Sequence, residues 1–388
     1  MRILHTSDWH IGRSFHGHSS LAHLAKVLAA MVDIVVEREV DVVAVAGDVF
    51  DTATPAAENF DVLTTALTAL RNAGATVIMT SGNHDSATRL GFQSGFASLA
   101  GIHILTRPEN HTDPVTISDA FGPVHFYGIP YLEPAMVRHR YPDEVLRTHS
   151  DVLGFAMDGI RRDLAGRDGR SVVLSHCFAV DIAEPSTTQG DVERDITSGG
   201  LDIVPLSVFD GPDYVALGHI HGRATLSERA RYSGAPLHYS FSEADKPRGG
   251  WLVELGKAGL ESVDWVEFPV PRPLVVLTGE LDELLADDSL QQYAGYWVSA
   301  ILTDRVRPLD GMRRLQSRFP HAAHLDHRPA VLADQADASY GSRIAARTDA
   351  EIVDGFLEFV RNGVGASDAE RVLVTDVIAE QVALEAGK

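Results

Sequence analysis

Cysteine is almost absent, Cys177 being the single one in 388 residues. No intramolecular disulfide can form, a thiolate zinc framework is excluded, and a reducing compartment is implied. Any bound metal must therefore be held by His, Asp, Asn or Glu. Long apolar runs are missing too. None approaches the roughly 20 residues a bilayer span requires, and Asp8 and His10 arrive before a secretory apolar region could form. A cytoplasmic protein without membrane contact is expected. Basic residues are few, 33 Lys and Arg against 54 Asp and Glu, so the formal charge is −21. That balance opposes non-specific phosphate binding, which is driven by counterion release to basic side chains. Bound cations or local basic patches would have to reverse it for a nucleic-acid substrate. There is no G-x-x-x-x-G-K-[ST] phosphate loop, no internal repeat and no low-complexity tract. With 45% hydrophobic and 22% charged residues, the chain has ordinary globular composition and a length for two or three domains.

Short apolar runs alternate with longer segments of helical period. Residues 1–7, 41–46, 75–80, 124–129, 171–175 and 214–217 read as buried strands. Residues 21–37, with apolar positions at 21, 24, 28, 31, 32 and 35, and residues 56–72 read as helices. This alternation predicts an α/β domain over 1–268, a central β-sheet covered by helices. Pro269, Pro271 and Pro273 cannot continue a central strand, so a linker is placed there. A small α+β domain over 269–345 should follow, with a strand at 298–303. Its helix, at 309–319, should turn Leu309, Met312, Leu315 and Phe319 inward. The final segment, 346–388, holds two helices announced by capping boxes, Thr348 with Glu351 and Ser367 with Glu370.

Five apolar runs stop at a group able to hold a metal ion: Asp8, Asp48, Asn83, His176 and His219. In an open α/β sheet, groups at the carboxyl ends of strands converge on one crevice. Asp8 and His10, two apart at a strand end, can point the same way, and so can His219 and His221. Gly47, Gly82 and Gly218 each precede a candidate ligand, where a missing side chain permits close approach. The donors are two carboxylates, one amide oxygen and four imidazoles, more than one ion can use while leaving a position for substrate. Two ions sharing a carboxylate fit the set better. Such a pair can generate a hydroxide and clamp the attacking and leaving oxygens of a phosphoryl displacement. Oxygen and imidazole ligation without thiolate suits Mn²⁺, Fe²⁺ or Zn²⁺, and Mn²⁺ is the expectation.

The pieces occur in the order D-x-H at 8–10, G-D-x-x-D at 47–51, G-N-H-D at 82–85, a lone His176 and G-H-x-H at 218–221. That order resembles the calcineurin-like metallophosphoesterase superfamily. Within it, residues 1–10, 47–52 and 214–221, with 232–236 and 240–243, resemble the SbcD-type branch of the Mre nucleases. The resemblance runs to about Phe268 and continues beyond it through domain order and the Pro-Arg-Pro-Leu at 271–274. It implies a metallophosphoesterase sandwich, a small DNA-capping domain and a C-terminal helix pair that docks an ATPase. It further implies one ion on Asp8, His10 and His221, a second on Asn83, His176 and His219, and Asp48 as the bridge. His84 is implied to reach the scissile phosphate, as a general acid or by stabilising charge. Asp51 is implied to hold that histidine, as carboxylate partners hold imidazoles elsewhere. The implied activity is exonuclease and endonuclease action on double-stranded DNA, with end processing and hairpin cleavage in repair. The implied partners are DNA, an SbcC-type coiled-coil ATPase that would supply ATP control, and a second copy of the chain within a heterotetramer. A metallophosphatase or small-molecule phosphodiesterase is the alternative on the same metal core. Thr52 and Ala53 stand where monoester phosphatases place an Arg, which favours a diester.

Between 305 and 328 six Arg stand against two Asp, a net of +4. Arg305, Arg307, Arg313, Arg314 and Arg318 are candidate DNA contacts, with a solvated helix face as the plainer reading. Leu90, Phe92, Phe96 and Leu99 form either core or a self-association surface. Residues 346–388 carry nine acidic and four basic side chains, which makes DNA a poor partner for them. Their apolar faces, Ile352, Val353, Phe356, Leu357 and Val360 on one helix and Leu373, Val377, Ile378 and Leu384 on the next, suit docking in a groove of the ATPase or packing on the nuclease domain. His16 and His18 read as solvated loop residues or as DNA contacts. Cys177 should point away from His176 as a small buried apolar group. Arg194 lies in a stretch that resembles a family loop beside the active site and equally fits an exposed ion pair, so it is not counted among the site residues.

Overall fold

Apolar side chains at alternate positions build two stacked sheets in Met1–Pro271, the first of two compact units; the second is Arg272–Lys388. The computed structural model describes residues 1–181, 203–329, 348–361 and 364–386, so Arg194 lies outside the described residues. The first sheet has the order β16 (Gly259–Glu267), β15 (Gly249–Gly256), β1 (Arg2–Thr6), β4 (Val42–Ala46), β5 (Thr76–Thr80) and β6 (Ile102–Leu105). β1, β4, β5 and β6 run parallel, whereas β15 and β16 are antiparallel additions. The second sheet has the order β13 (Ala224–Thr225), β14 (Ala230–Tyr232), β12 (Tyr214–Gly218), β9 (Arg170–His176), β8 (Gly122–Ile129) and β7 (Val115–Asp119). Here β14, β12, β9 and β8 are parallel. Two short pairs, β2 (Ser14–Phe15) with β3 (His18–Ser19) and β10 (Phe178–Val180) with β11 (Ile203–Pro205), sit outside the sheets.

The period of two decides what each strand covers. Ile3, Val42, Ala44 and Ile78 pack against Val124, Phe126, Val172, Leu174, Tyr214 and Ala216, and this is the layer between the sheets. Their neighbours Leu4, Val43, Val45, Val77 and Met79 point the other way, onto Leu24, Val27, Met31, Leu63 and Leu70 of the helices Leu21–Glu37 and Ala57–Asn72. Tyr127, Val173, Val215 and Leu217 likewise meet Val152, Ala156, Met157 and Ile160 of His149–Leu164. The result is the expected sandwich covered by helices, in four layers. Each fully buried aliphatic side chain contributes about 1.5 to 3 kcal/mol. Cys177 lies in the outer layer, buried as expected, and burial pushes its thiol up to about 12.

Polar links cross between the sheets. His5 Nδ1 is 2.9 Å from the Tyr214 hydroxyl and Nε2 is 3.1 Å from the Leu217 carbonyl. Burial lowers this imidazole to about 3, which keeps it neutral. At the opposite end from the strand termini discussed below, Arg170 of β9 donates to both Asp119 oxygens at 2.6 and 3.0 Å, to Gly122 at 2.9 Å and to Gly256 of β15 at 3.2 Å.

In the second unit, β17 (Leu274–Gly279), β18 (Trp297–Leu302) and β19 (Ala322–His327) form a parallel sheet in that order. Leu277, Val298, Ala300 and Leu302 pack with Leu281 and Leu284 of the helix Leu281–Ala286, with Leu315 of Gly311–Arg318 and with Phe319. That second helix starts two residues later than expected, because Asp310 takes a left-handed backbone with φ of 54°. Leu309 is consequently 89% exposed and not inward. Two further helices, Asp349–Val360 and Asp368–Ala386, follow. Thr348 and Glu351 exchange both bonds of a capping box, and so do Ser367 and Glu370. No described helix is long and apolar enough to cross a membrane.

The Arg170 clamp yields a test. Its guanidinium holds the Asp119 carboxyl well below the usual carboxylate range. Stability from the pair is therefore complete above the unfolded value of about 3.9 and disappears as pH falls through the lower folded value. Asp119→Asn should cost about 2 to 3 kcal/mol at pH 7 by urea unfolding, less than a fully buried pair because Asp119 keeps some exposure. The gap to wild type should close below pH 4, and a gap constant down to pH 2 would contradict the assignment.

Candidate metal centre

The two sheets bring the carboxyl ends of their parallel strands to one edge, and each predicted ligand follows such an end. Asp8 and His10 follow β1, Asp48 follows β4, Asn83 follows β5, His176 ends β9, and His219 and His221 follow β12. Main-chain bonds lash the first two loops together, Asp8 N–H to the Gly47 carbonyl and His10 N–H to the Asp48 carbonyl, both at 3.0 Å. Asp8, His10, Asp48 and His219 all have positive φ, at 53°, 45°, 49° and 107°. Such backbone costs non-glycine residues of order 1 kcal/mol or more each and concentrates at functional sites. Close approach explains two of the glycines. A Cβ on Gly82 would stand 2.0 Å from Asp48 Oδ1, and one on Gly218 would stand 1.9 Å from the Ala46 carbonyl.

Asp8, His10 and His221 offer ligand atoms within 4.8 Å of one another, and so do Asp8, Asp48 and His176. His10 Nε2 and His221 Nε2 are 3.1 Å apart. Asp48 Oδ2 lies 3.6 Å from His10 Nε2 and 3.3 Å from His176 Nε2. Asn83 Oδ1 is 3.0 Å from His176 Nε2 and 3.1 Å from His219 Nδ1, and those two nitrogens are 3.3 Å apart. The Ala46 carbonyl, 2.8 Å from His176 Nδ1, turns Nε2 of that ring into the cluster.

This set fits divalent cations on its own chemistry. Each facing nitrogen pair, at 3.1 and 3.3 Å, can share one proton as an N–H···N bond or turn both lone pairs toward a single cation, so the rings converge as ligands do. The buried carboxylates are equally demanding. Burial raises the Asp8 carboxyl. Burial acts on Asp48 in the same sense, but the imidazoles of His176, His10 and His84 outweigh it and hold Asp48 below the usual range. Burial lowers His10, whereas Asp48 and Asp8 overcome the burial of His176 and raise it to about 9. A cation pair would offset the buried carboxylate charge and take up the converging nitrogen lone pairs.

His84 joins this cluster: its ligand atom lies with those of His10 and Asp48, and its main-chain N–H donates to Asp48 Oδ1 at 2.9 Å. Its link to Asp51 differs from the one expected. His84 Nδ1 is 2.8 Å from the Asp51 main-chain carbonyl, while the Asp51 carboxylate lies 3.3 Å from His10 Nδ1 and 3.2 Å from Arg13 Nη1. The identity of side chain 51 therefore bears on His10, and the hold on His84 passes through the backbone.

Three residues near the centre were not singled out as site residues from the sequence. Glu243 faces His221 Nδ1 at 3.6 Å, and the buried Arg248 approaches Glu243 at 3.4 Å. Asp85 accepts the N–H groups of Val49, Phe50 and Gly82, joining two loops of the cluster. Only the motif membership of Asp85 and the family-like stretch ending at Glu243 gave any signal.

In the second unit, Arg313 pairs with Asp310 and Arg314 with Asp282, while Arg318 donates to the carbonyls of Leu285 and Asp287. Arg305 and Arg307 are exposed. Leu90 is buried in the core, but Phe92, Phe96 and Leu99 are exposed by 74%, 77% and 86%.

A family model described as calcineurin-like phosphoesterase matches residues 1–223. The chain belongs to the calcineurin-like phosphoesterase family. A second model, SbcD_C, described as the type 5 capsule protein repressor C-terminal domain, matches residues 270–361. The two domains together support an SbcD-type nuclease subunit. Family members use a dinuclear metal centre, and the cluster described above supplies candidate ligands for one. Among solved structures, TT1561 of Thermus thermophilus is 12% identical, covering 69% of this chain and 98% of its own, with a TM-score of 0.41. A dimetal phosphatase from Danio rerio is 13% identical, covering 69% and 99%, with a TM-score of 0.39.

If Asp48 serves both ions and His84 serves the reaction, two variants should separate. Asp48→Ala should abolish binding of the ion pair while the fold survives, and His84→Ala should keep two ions per chain. Metal analysis of the purified variants checks this; two ions in Asp48→Ala, or loss of metal from His84→Ala, would contradict the division of roles.

Proposed function

We propose that this chain is a metal-dependent DNA nuclease, the nuclease subunit of an SbcCD-type complex, acting on double-stranded DNA as an exonuclease and endonuclease in cytoplasmic DNA repair. The observation that carries the reading is the seven-donor cluster in a unit that matches calcineurin-like phosphoesterases, followed by a unit that matches SbcD_C. Asp8, His10 and His221 would hold one ion, Asn83, His176 and His219 the other, with Asp48 common to both, and Mn²⁺ suits these donors. When bound, the ions supply Lewis acidity that makes a water nucleophilic near neutral pH and offsets charge on phosphoryl oxygens.

The rest is done by the chain. His84 would give a proton to the leaving oxygen or stabilise its charge. With the Asp51 carbonyl accepting Nδ1–H, the transferred proton comes from Nε2. The left-handed turns at Asp8, His10 and Asp48 keep the donors in place, so the site does not reorganise as charge develops. Thr52 and Ala53 provide no guanidinium at the place where monoesterases clamp a dianion, which supports a diester substrate.

Three surfaces support the finer parts of the proposal. Exposed Arg305 and Arg307, with the half-paired Arg313 and Arg314, offer phosphate contacts. Arg318 offers less, because its donors serve main-chain carbonyls. Exposed Phe92, Phe96 and Leu99 suit self-association, and exposed Phe356, Val360, Leu373 and Val377 on the last two helices suit an SbcC-type ATPase.

In Mn²⁺, the purified chain should hydrolyse a nitrophenyl diester and linear duplex DNA and leave a nitrophenyl monoester nearly untouched. His84→Ala should slow the diester reaction by about 10² to 10⁴. Faster turnover of the monoester would favour the metallophosphatase alternative. Deleting the chain from Thr348 onward should preserve diester hydrolysis and abolish co-purification with the ATPase, and retention of the complex at full affinity would refute the docking assignment.

A further inference from the structure

The candidate ligands differ in what stands behind them. His176 turns Nδ1 to a neutral acceptor, the Ala46 carbonyl. His221 and His10 instead have carboxylates at Nδ1, Glu243 Oε1 at 3.6 Å and Asp51 Oδ1 at 3.3 Å. Each carboxylate in turn carries a guanidinium, Arg248 on Glu243 and Arg13 on Asp51.

Glu243 is the more deeply set of the two. It is 5% exposed and Arg248 is 2% exposed. Glu243 Oε2 accepts the Tyr239 N–H at 3.0 Å and lies 3.4 Å from Arg248 Nη2. Arg248 Nη1 donates to the main-chain carbonyl of His221 at 2.6 Å. One arginine thus grips both the backbone of His221 and the carboxylate that faces its ring. As a stability device this pair is weak, since desolvating two ions offsets most of their attraction. Its geometry is better accounted for by the ring it faces. A carboxylate at Nδ1 fixes the tautomer that presents Nε2 and increases its basicity as a ligand. The Nε2 presented here is the atom 3.1 Å from His10 Nε2, in the group of Asp8, His10 and His221.

We propose that Glu243 is a positioning residue for His221, and that the carboxylates of Glu243 and Asp51 make the Asp8, His10 and His221 group the tighter of the two metal sites. The inference rests on the ligand assignment proposed above. It predicts unequal affinities in wild type, and it predicts that removing the Glu243 charge narrows that inequality by weakening one ion alone.

The test follows Mn²⁺ binding to the full chain by calorimetry and by electron paramagnetic resonance, in wild type, Glu243→Gln and Glu243→Gln/Arg248→Met. Glutamine keeps the size of the side chain and an oxygen facing Nδ1 but not the charge. Wild type should bind two ions with distinct affinities, and in Glu243→Gln the tighter site should weaken about 10- to 100-fold while the other changes by less than about threefold. At one bound Mn²⁺ per chain the isolated-ion signal that dominates in wild type should then fall, and the exchange-coupled signal of ion pairs should rise. The double variant removes the guanidinium left without its counterion, so it should regain the melting temperature of the metal-free wild type while keeping the weakened site. Wild-type affinities in Glu243→Gln, or recovery of metal affinity in the double variant, would overturn the proposal. A wild-type chain that binds fewer than two ions would overturn the ligand assignment itself, and the proposal with it.

Discussion

Two carboxylates, Asp8 and Asp48, are buried together with His176 at the edge where parallel strands of both sheets end, and that burial governs the surroundings. An unpaired ion in such a place costs several kcal/mol. Part of the compensation is local: His219 N–H donates to Asp8 Oδ1 at 3.0 Å, and His84 N–H donates to Asp48 Oδ1 at 2.9 Å. Aiming those amides requires the unusual backbone of His219 and the near contact of Gly82 with Asp48. The imidazoles supply the rest only in part, because burial drives His10 toward its neutral form while it is the carboxylates that hold the proton on His176. Cation binding, backbone strain and glycine placement are thus one problem, the housing of two negative charges in a dry edge.

The sandwich makes that housing possible. A single sheet would offer Asp8, Asp48 and Asn83 from β1, β4 and β5 along one line of strand ends. Stacking the second sheet adds His176, His219 and His221 from the facing side, so that donors surround a volume. Alternation within each strand keeps the layer between the sheets apolar up to the last turn, as Ala44 and Leu174 do just before Asp48 and His176. Water is excluded from below the cluster for that reason, and the electrostatic interactions inside it are correspondingly strong.

Much of this was legible in the sequence because its signals are local. A strand that stops at Asp, Asn or His after a glycine states both the element and the ligand, and the apolar period over 21–37 matches the helix Leu21–Glu37. Other features were hidden for physical reasons. The helix His149–Leu164 starts with a capping box in which Asp151 replaces the usual Glu or Gln, so the common pattern passes over it. β7 and β16 lie at sheet edges with half-exposed alternating faces, and β15 opens on two glycines, so none has the apolar run of a central strand. Glu243 reaches a histidine 22 positions away, and Asp85 reaches amides more than 30 positions away. Such partners are set by topology, which no local pattern encodes. Asp51 is the instructive mixed case: its motif membership was visible, but whether its carboxylate or its carbonyl met His84 was a matter of tertiary geometry.

The formal charge of −21 bears on how a polyanion could be handled at all. Repulsion between chain and nucleic acid is screened beyond about 8 Å at physiological ionic strength, so only charges near the contact decide it. Near the strand ends the fixed groups are carboxylates and imidazoles, His176 among the latter holding its proton against Asp48, with Arg13 and Arg248 engaged by Asp51 and Glu243. Two divalent ions would reverse the sign there, adding four positive charges beside carboxylates that carry two. For a phosphodiester substrate, metal at this edge would accordingly govern approach of the phosphate as well as the chemistry performed on it. The arginines of the second unit act under a different limit. Arg313 and Arg314 must give up Asp310 and Asp282 to engage a phosphate, and because those pairs are largely exposed the exchange costs little, about 1 kcal/mol or less for each.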